Sequence, residues 1–263
     1  MKKVILISLV ATVLAACSTV MITGRKQFNI VSDSEILSES SIAYNDFIKT
    51  APISKNAANT AMVKQIGNKI SAAVETYMRD NGMSADLKNY SWEYNLVQSD
   101  EINAFCMPGG KIVVYEGILP VTKNEAGLAV VIGHEVAHAV AKHSNERMSQ
   151  QIAVQLAGAG ADILLSQKSA ATRNAIGTLY GIGAQVGVLL PYSRKHEFEA
   201  DRLGMIFMAM AGYDPNQAVD FWQRMSASGS STPMEFLSTH PSDNSRIAKM
   251  KEVLPEALKY YKK

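Results

Sequence analysis

The chain has 263 residues and a formal net charge of +2, with 47% hydrophobic and 19% charged residues. This length supports one sizeable core or two unequal lobes, and the composition excludes a disordered chain. The charged residues form no block of like sign, so nucleic acid is not expected as a partner.

The first residues predict an export signal. Lys2 and Lys3 precede the apolar run 4–14, and Leu14-Ala-Ala-Cys17 follows it. A charged start, a short apolar core and small residues at a cleavage site are typical of a signal peptide, here residues 1–16. Positions 4–16 make 13 residues, fewer than the roughly 20 that a membrane-spanning helix needs. A transmembrane anchor is therefore the weaker interpretation.

The cleavage site also predicts a lipid anchor. Leu14-Ala-Ala-Cys17 resembles the bacterial lipobox, which implies cleavage before Cys17 and attachment of lipid to that residue. Ser18 resembles the enterobacterial rule for sorting to the outer membrane. We expect a protein of the bacterial cell envelope, anchored to the periplasmic face of the outer membrane, with residues 17–32 as lipidated N-terminus and tether and residues 33–263 as one domain.

The chain contains two cysteines. If Cys17 carries lipid, Cys106 has no disulfide partner within the chain. We expect Cys106 to be a small buried hydrophobe.

Two helices are predicted after the tether. Apolar residues recur with loose helical spacing over 34–48, and a more regular stripe follows over 56–78. Core packing accounts for the stripe, and Asn81-Gly82 is typical of a helix end.

Three strands are predicted next. Alternating apolar residues over 91–99 indicate a half-buried strand, and Asn103–Cys106 and 111–115 flank Met107-Pro-Gly-Gly110 as the arms of an antiparallel hairpin. An extended peptide could add to an exposed edge of this sheet, although an ordinary covered edge is equally compatible with the pattern.

The motif HEVAH interrupts an otherwise apolar helix. Between Ala126 and Ala141 the strongly polar side chains are His134, Glu135 and His138. Their burial costs several kcal/mol, roughly, unless each finds a partner. Residues four apart share a helical face, so a zinc ion could accept both imidazoles while Glu135 holds a water. Two core histidines satisfied by backbone or carboxylates are the alternative.

Residues 151–190 carry two stretches rich in Ala and Gly, 152–165 and 170–190, separated by Ser166-Gln-Lys-Ser169. We interpret them as a helical hairpin packed through its small residues, with a membrane-facing or dimer-forming surface as the alternative. The sequence does not indicate whether this hairpin gates an active site.

The last third of the chain is predicted to be helical. One helix carries Glu197-Phe-Glu-Ala-Asp201 and ends at Gly212-Tyr-Asp-Pro215. A short helix over 216–225, a loop rich in Ser and Gly over 226–233 and a basic helix over 245–261 follow.

A catalytic zinc ion needs a third protein ligand and one open position. In the metzincin arrangement a third histidine would lie six residues past His138, but that position is Ser144. His143 is out of register, and we expect it, like His196, to be a structural or surface residue. The metzincin arrangement is therefore disfavoured.

A glutamate is the better candidate for the third ligand. Glu197 and Asp201 lie four apart on one helical face, so Glu197 can ligate zinc while Asp201 accepts the N–H of a zinc-bound histidine. Glu199 falls roughly on the opposite face. A solvated acidic cluster near the helix start is the alternative.

Motifs spread over nearly all of the mature chain resemble those of one family. They are Thr23-Gly-Arg25, Asn103-Ala-Phe105, Pro108-Gly-Gly110, HEVAH, Glu197-Phe-Glu-Ala-Asp-Arg-Leu-Gly204, and Thr239-His-Pro241 with Arg246-Ile247. The family is that of the zinc metallopeptidases related to the CaaX prenyl endopeptidase, HtpX and the mitochondrial Oma protease, and the chain most resembles the exported, lipid-anchored members. The resemblance implies an α+β, mostly helical, zincin-like fold with a small antiparallel sheet beside the active-site helix.

The resemblance also implies a catalytic centre. His134, His138 and Glu197 would bind one zinc ion per chain, and Glu135 would be the general base and acid. His240 would lie near the open zinc position and stabilise the tetrahedral intermediate.

Four further residues have implied supporting roles. Asp201 would accept a hydrogen bond from a ligand, and Arg246 would support the corner at His240. Asn103 and Ala104 would hold the substrate backbone.

These expectations describe a zinc metalloendopeptidase that cleaves protein or peptide substrates, in particular misfolded or envelope proteins. The alternative is a zinc-binding chaperone or assembly factor for outer-membrane or periplasmic proteins. A purely structural zinc site would need a fourth ligand, which the sequence does not place close to the motif. The physiological substrate and the oligomeric state, whether a homo-oligomer or a complex with an envelope assembly partner, are not readable from the sequence.

Overall fold

The computed structural model describes residues 17–20, 22–159, 193–227, 235–240 and 244–262. The predicted signal peptide, most of the Ala/Gly-rich hairpin and most of the Ser/Gly loop lie outside the described residues.

The described chain is mostly helical. Its strands are β1 (Cys17–Thr19), β2 (Lys26–Phe28), β3 (Glu93–Val97), β4 (Ala104–Met107) and β5 (Lys111–Tyr115). Its α-helices are α1 (Asp33–Thr50), α2 (Ala57–Asp80), α3 (Leu119–Thr122), α4 (Glu125–Val140), α5 (His143–Ala159), α6 (Arg194–Met210), α7 (Asn216–Ala227), α8 (Glu235–Thr239) and α9 (Asn244–Leu258). Short 3₁₀ helices span Ser84–Asn89 and Glu116–Ile118. The α+β, mostly helical fold class is confirmed.

The helices begin where side chains can cap them. Ser32 and Asn56 accept hydrogen bonds from backbone N–H groups three residues further on and start α1 and α2. Asn124 caps α4 in the same way. Lys142 ends the turn after α4 with a left-handed φ of 55°, and the segment beyond it forms α5.

The central sheet has the strand order β3-β5-β4. The expected hairpin is confirmed, with Phe105 opposite Val113 in the antiparallel pair of β4 and β5. The sheet as a whole is mixed, because β3 pairs parallel with β5, Asn95 opposite Val113. The chain reverses twice after β3, so β5 runs in the same direction as β3 and enters the sheet between its neighbours.

Both faces of the sheet are covered. Ile112 and Val114 of β5 point into the larger hydrophobic core, which they share with α2, α4 and α6. Val113 points to the opposite face and packs in a smaller cluster with Phe105 and residues of α1. The alternation follows from the two-residue period of a strand.

Helices α4 and α6 cross in direct backbone contact. A Cβ atom placed on Gly133 would lie 2.9 Å from the carbonyl oxygen of Gly204. No other residue type leaves room for this approach. The crossing brings HEVAH and the acidic motif of α6 together in the larger core.

The segment expected to be a tether contains a short antiparallel hairpin. β1 pairs with β2, Ser18 opposite Gln27, and Gln27 is buried. Arg25, in the turn, forms ion pairs with Glu146 of α5 and Glu199 of α6. Within the described residues, no helix combines the length and the apolar character that crossing a membrane requires.

Candidate metal centre

Helix α4 carries the HEVAH motif through the middle of the protein. Each of its residues from Gly127 to Val140 is buried. His134, Glu135 and His138 are only 2%, 3% and 1% exposed. The polar side chains are thus inside the core, as the apolar run predicted.

Helix α6 supplies the third predicted ligand. The Ser193 hydroxyl accepts a hydrogen bond from the backbone N–H of His196 and caps the helix. Glu197 follows in the first turn and is 2% exposed. The close crossing with α4 places its carboxylate against the imidazoles of HEVAH.

Four buried side chains converge on one point. His134, His138, Glu197 and His240 each offer a ligand atom, and these atoms all lie within 4.8 Å of one another. The Nε2 atoms of His134 and His138 are 3.0 Å apart, and each lies 3.4 Å from a carboxylate oxygen of Glu197. His240 Nδ1 lies 3.2 Å from His134 Nε2 and 3.1 Å from Glu197 Oε1.

These spacings fit a tetrahedral zinc site. With zinc–nitrogen bonds of about 2.0–2.1 Å, neighbouring ligand atoms on a tetrahedron are separated by about 3.3 Å. Imidazole nitrogens and a carboxylate oxygen are also the donors that zinc prefers in proteins. The residues present therefore fit the metal.

The structure places His240 among the predicted ligands, whereas the sequence predicted it beside an open coordination position. Its Nδ1 is a fourth donor in the cluster, and its Nε2 lies 3.3 Å from Glu135 Oε1. A fourth possible donor, which the sequence does not place near the motif, thus comes from the residue that follows α8.

Asp201 and Arg246 surround the ligands. Asp201 Oδ1 lies 2.9 Å from His134 Nδ1, and both Asp201 oxygens accept hydrogen bonds from Arg246 at 2.7 Å. Arg246 also lies 2.8 Å from Glu197 Oε2. Its guanidinium stacks 3.4 Å from the centre of the Trp222 ring, which shields the buried cation from water and fixes its orientation.

Burial and neighbouring charges shift the pKa values of these groups. Burial would raise the pKa of Glu197, but the Arg246 guanidinium and the imidazole of His240 hold it well below its usual value. Burial raises the pKa of Glu135. Burial would lower the pKa of His134, but Asp201 and Glu197 outweigh it and raise this pKa to about 9. Glu197, whose pKa is lowered, is therefore suited to remain a fixed anion. Glu135, whose pKa is raised, is suited to accept and release a proton.

The sequence model of the family described as Peptidase family M48 matches residues 64–254. The chain belongs to this peptidase family. The match begins within α2 and ends within α9, and it includes His134, His138, Glu197 and His240.

Known M48-type relatives support the assignment. The chain is 42% identical over 190 residues to "Mitochondrial metalloendopeptidase OMA1" of Schizosaccharomyces pombe, covering 72% of this chain and 53% of the relative. It is 30% identical over 251 residues to "Metalloendopeptidase OMA1, mitochondrial" of Homo sapiens, covering 92% and 45%. It is 30% identical over 206 residues to "Beta-barrel assembly-enhancing protease" of Yersinia pestis, covering 76% and 40%. The chain thus spans about half the length of these relatives or less.

In this M48 chain Ala104 is the first residue of β4, the edge strand beside α4, and Asn103 immediately precedes it. Asn103 Oδ1 accepts a hydrogen bond from the Ala104 N–H, and the Asn103 carbonyl accepts one from the Tyr115 N–H. β4 pairs only with β5 among the described strands. A role in holding substrate stays a prediction.

Cys106, also on β4, is buried. Burial raises the pKa of its thiol, with a further contribution from Glu135. The prediction of a small buried hydrophobe is confirmed.

The surroundings of His138 are not predicted by the sequence patterns. His143 Nδ1 lies 2.8 Å from His138 Nδ1, and His143 Nε2 lies 2.8 Å from Glu199 Oε2. His143 is buried, as a structural residue would be, and burial lowers its pKa to about 4, so the ring is neutral. The usable signals were the position of Glu199 on the face of α6 opposite Glu197 and the separation of five residues from His138.

Proposed function

We propose that this M48 chain is a zinc-dependent endopeptidase that hydrolyses peptide bonds of proteins. The observation that carries the proposal is the convergence of the HEVAH imidazoles and the Glu197 carboxylate at tetrahedral spacing, with Glu135 beside them. His134, His138 and Glu197 would hold one zinc ion per chain. The names of the relatives support the same activity.

The chain's own residues suit a hydrolytic mechanism. When bound, zinc supplies the Lewis acidity that makes water a nucleophile near neutral pH. Glu135 Oε1 is buried and accepts no hydrogen bond from the described residues, although His240 Nε2 is 3.3 Å away. Glu135 would take the proton of the attacking water and donate it to the leaving amine, a task that its raised pKa favours.

His240 would act in two ways. Four protein donors complete a tetrahedral coordination sphere, whereas catalysis needs one position for water. We propose that His240, which follows the short helix α8 rather than lying on α4 or α6, gives this position to water. Its imidazole, beside Glu135, would then donate a hydrogen bond to the developing oxyanion of the scissile carbonyl.

Substrate would bind along the edge of the sheet. β4 lies at one edge and contacts the helix that carries HEVAH. An extended peptide would pair with the backbone at Asn103 and Ala104 as an added strand. This mode of binding selects unfolded segments, because a folded substrate does not offer a free extended strand.

The decisive experiment replaces Glu135 by Gln in the full chain. We expect zinc content unchanged and casein cleavage reduced by about 10²- to 10⁴-fold, the contribution of a general base. Glu125→Gln, an exposed position on the same helix, is the matched control and should cleave at the wild-type rate. Undiminished cleavage by the Glu135 variant, or a wild-type protein that takes up no zinc, rejects the proposal.

We further propose that the protein acts in the bacterial envelope on misfolded or envelope proteins, anchored through lipid on Cys17. The protease of Yersinia pestis is named for β-barrel assembly, which supports an envelope role, whereas the OMA1 relatives are mitochondrial. Cys17→Ser should move the protein from the membrane fraction to the soluble fraction. Envelope proteins that accumulate in cells carrying Glu135→Gln would be the substrate candidates, and an unchanged envelope despite lost cleavage in vitro would favour the chaperone alternative.

A further inference from the structure

Behind the metal centre, three buried side chains form a continuous row of hydrogen bonds. We call His138, His143 and Glu199 the support triad. His138 Nδ1 meets His143 Nδ1 at 2.8 Å, and His143 Nε2 meets Glu199 Oε2 at 2.8 Å. None of the roles assigned above to the zinc ligands or to Glu135 involves His143 or Glu199.

The direction of these hydrogen bonds follows from the chemistry of each atom. His138 presents Nε2 to the ligand cluster, so a metal-bound His138 carries its proton on Nδ1. His143 Nδ1, 2.8 Å away, must then accept this proton's hydrogen bond, and His143 Nε2 carries the proton that is donated to the Glu199 carboxylate. With His138 Nε2 facing a metal, this arrangement of protons satisfies both hydrogen bonds of the support triad.

The far end of the support triad is held by the N-terminal turn. Glu199 accepts hydrogen bonds from Thr23 Oγ1 and, at 2.5 Å, from Arg25 Nε. Arg25 also donates to Glu146 of α5 at 2.7 Å. The turn between β1 and β2 therefore joins α5 and α6 at the residue that orients His143.

Glu146 offers an internal comparison. It shares Arg25 with Glu199 and is similarly buried, but it accepts from His196 Nε2 at 3.0 Å instead of from His143. Glu146 takes part in neither hydrogen bond of the support triad, so removal of its charge disturbs the same arginine without removing a triad contact.

We propose that His143 and Glu199 are positioning residues for the zinc ligand His138, and that the turn Thr23–Arg25 completes their site, so that zinc binding and docking of the N-terminal hairpin favour each other. The inference rests on the proposed zinc site. An outer carboxylate that fixes the tautomer of a ligating imidazole raises its basicity and metal affinity. Because coupling between two binding equilibria is reciprocal, zinc must stabilise the docked turn by the same factor by which the turn strengthens zinc binding.

The first test measures zinc affinity of the full chain by competition with a chromophoric chelator. Glu199→Gln and His143→Gln should each raise the Kd for zinc by about 10- to 100-fold, the range found when outer partners of metal ligands are removed. Glu146→Gln, the matched control, should change the Kd by less than threefold. Thr23→Val, at a half-buried position, removes the hydrogen bond to Glu199 and the long one accepted from the Arg25 N–H. It should raise the Kd by a few-fold, which keeps the test usable if the buried variants do not fold.

The second test measures hydrogen exchange of residues 18–28 with and without zinc. We expect zinc to slow exchange in the wild type and in Glu146→Gln, and to have no such effect in Glu199→Gln. A purely structural role would lower the melting temperature of the metal-free variants and leave their zinc Kd at the wild-type value. Wild-type zinc affinity in a folded Glu199→Gln or Thr23→Val protein overturns this inference and leaves the proposed function unaffected. A wild-type protein that binds no zinc overturns the proposed function.

Discussion

Gly204 on α6 lies directly against the backbone of His134 on α4. A Cβ atom at position 204 would stand 2.9 Å from the amide nitrogen of His134 and 3.0 Å from its Cα. Distances this short require the backbone to move, since neither atom belongs to a flexible side chain. The absence of a side chain at Gly204 therefore allows the close approach of the two helices that brings their predicted ligands together.

Gly204→Ala is expected to destabilise the protein and loosen the metal centre. Overpacking at a helix contact costs about 1–3 kcal/mol, and the forced separation moves Glu197 away from the imidazoles. Chemical unfolding of the metal-free protein measures the first effect, and chelator competition measures the second. We expect a weaker zinc affinity, by at least tenfold.

Gly82→Ala is the control for destabilisation without effect on zinc. Gly82 has a φ of 76°, and a Cβ there would meet no atom within 4 Å. Left-handed strain should cost about 1–2 kcal/mol, while the zinc affinity stays at the wild-type value. Equal loss of zinc affinity in both glycine variants would show that zinc binding merely follows global stability.

Asp201→Asn should lower both stability and zinc affinity. Asp201 accepts two hydrogen bonds from the buried Arg246 and lies 2.9 Å from His134 Nδ1. The neutral amide leaves a buried guanidinium short of one partner, which costs about 3 kcal/mol, and it gives a poorer acceptor to the metal ligand. Urea unfolding with and without zinc is the measurement.

Asp220→Asn on α7 provides the matched control, because Asp220 is exposed. It should leave the unfolding free energy within about 0.5 kcal/mol of the wild type. An equally small effect of Asp201→Asn on the unfolding free energy would show that the contact between Asp201 and Arg246 does not stabilise the protein.

Local patterns in the sequence were sufficient to predict that HEVAH and Glu197 belong to one site, and the structure brings these side chains together. His134 and His138 share a helical face because they lie four residues apart, and the same spacing relates Glu197 to Asp201. The helices and the β4–β5 hairpin also follow from periodicity and turn residues, which act over short distances.

Features that depend on distant contacts were not predictable in this way. The parallel entry of β5 beside β3 depends on the packing of both sheet faces. His143 reaches His138 because Lys142 adopts a left-handed conformation that starts α5 directly after α4. The ion pairs of Arg25 with residues more than 100 positions away have no local pattern at all.

The ion pair between Arg202 and Glu256 predicts a small pH dependence of stability. Arg202 donates two hydrogen bonds to the Glu256 carboxylate, at 2.8 and 2.6 Å, and joins α6 to α9. This contact lowers the pKa of Glu256 in the folded protein. The ionised carboxylate therefore stabilises the fold above the unfolded pKa of about 4.3, and the contribution is lost as the pH falls through the lower folded value.

The side chains of Arg202 and Glu256 are 32% and 36% exposed, so solvent screening limits the contribution to less than about 1 kcal/mol. The difference in unfolding free energy between wild type and Glu256→Gln, both free of metal, should be largest near pH 7 and shrink as the pH falls below about 4.3. Glu252→Gln, which removes the more exposed pair with Lys249, should show a smaller difference at every pH. A difference for Glu256→Gln that grows on acidification would contradict the direction of the pKa shift.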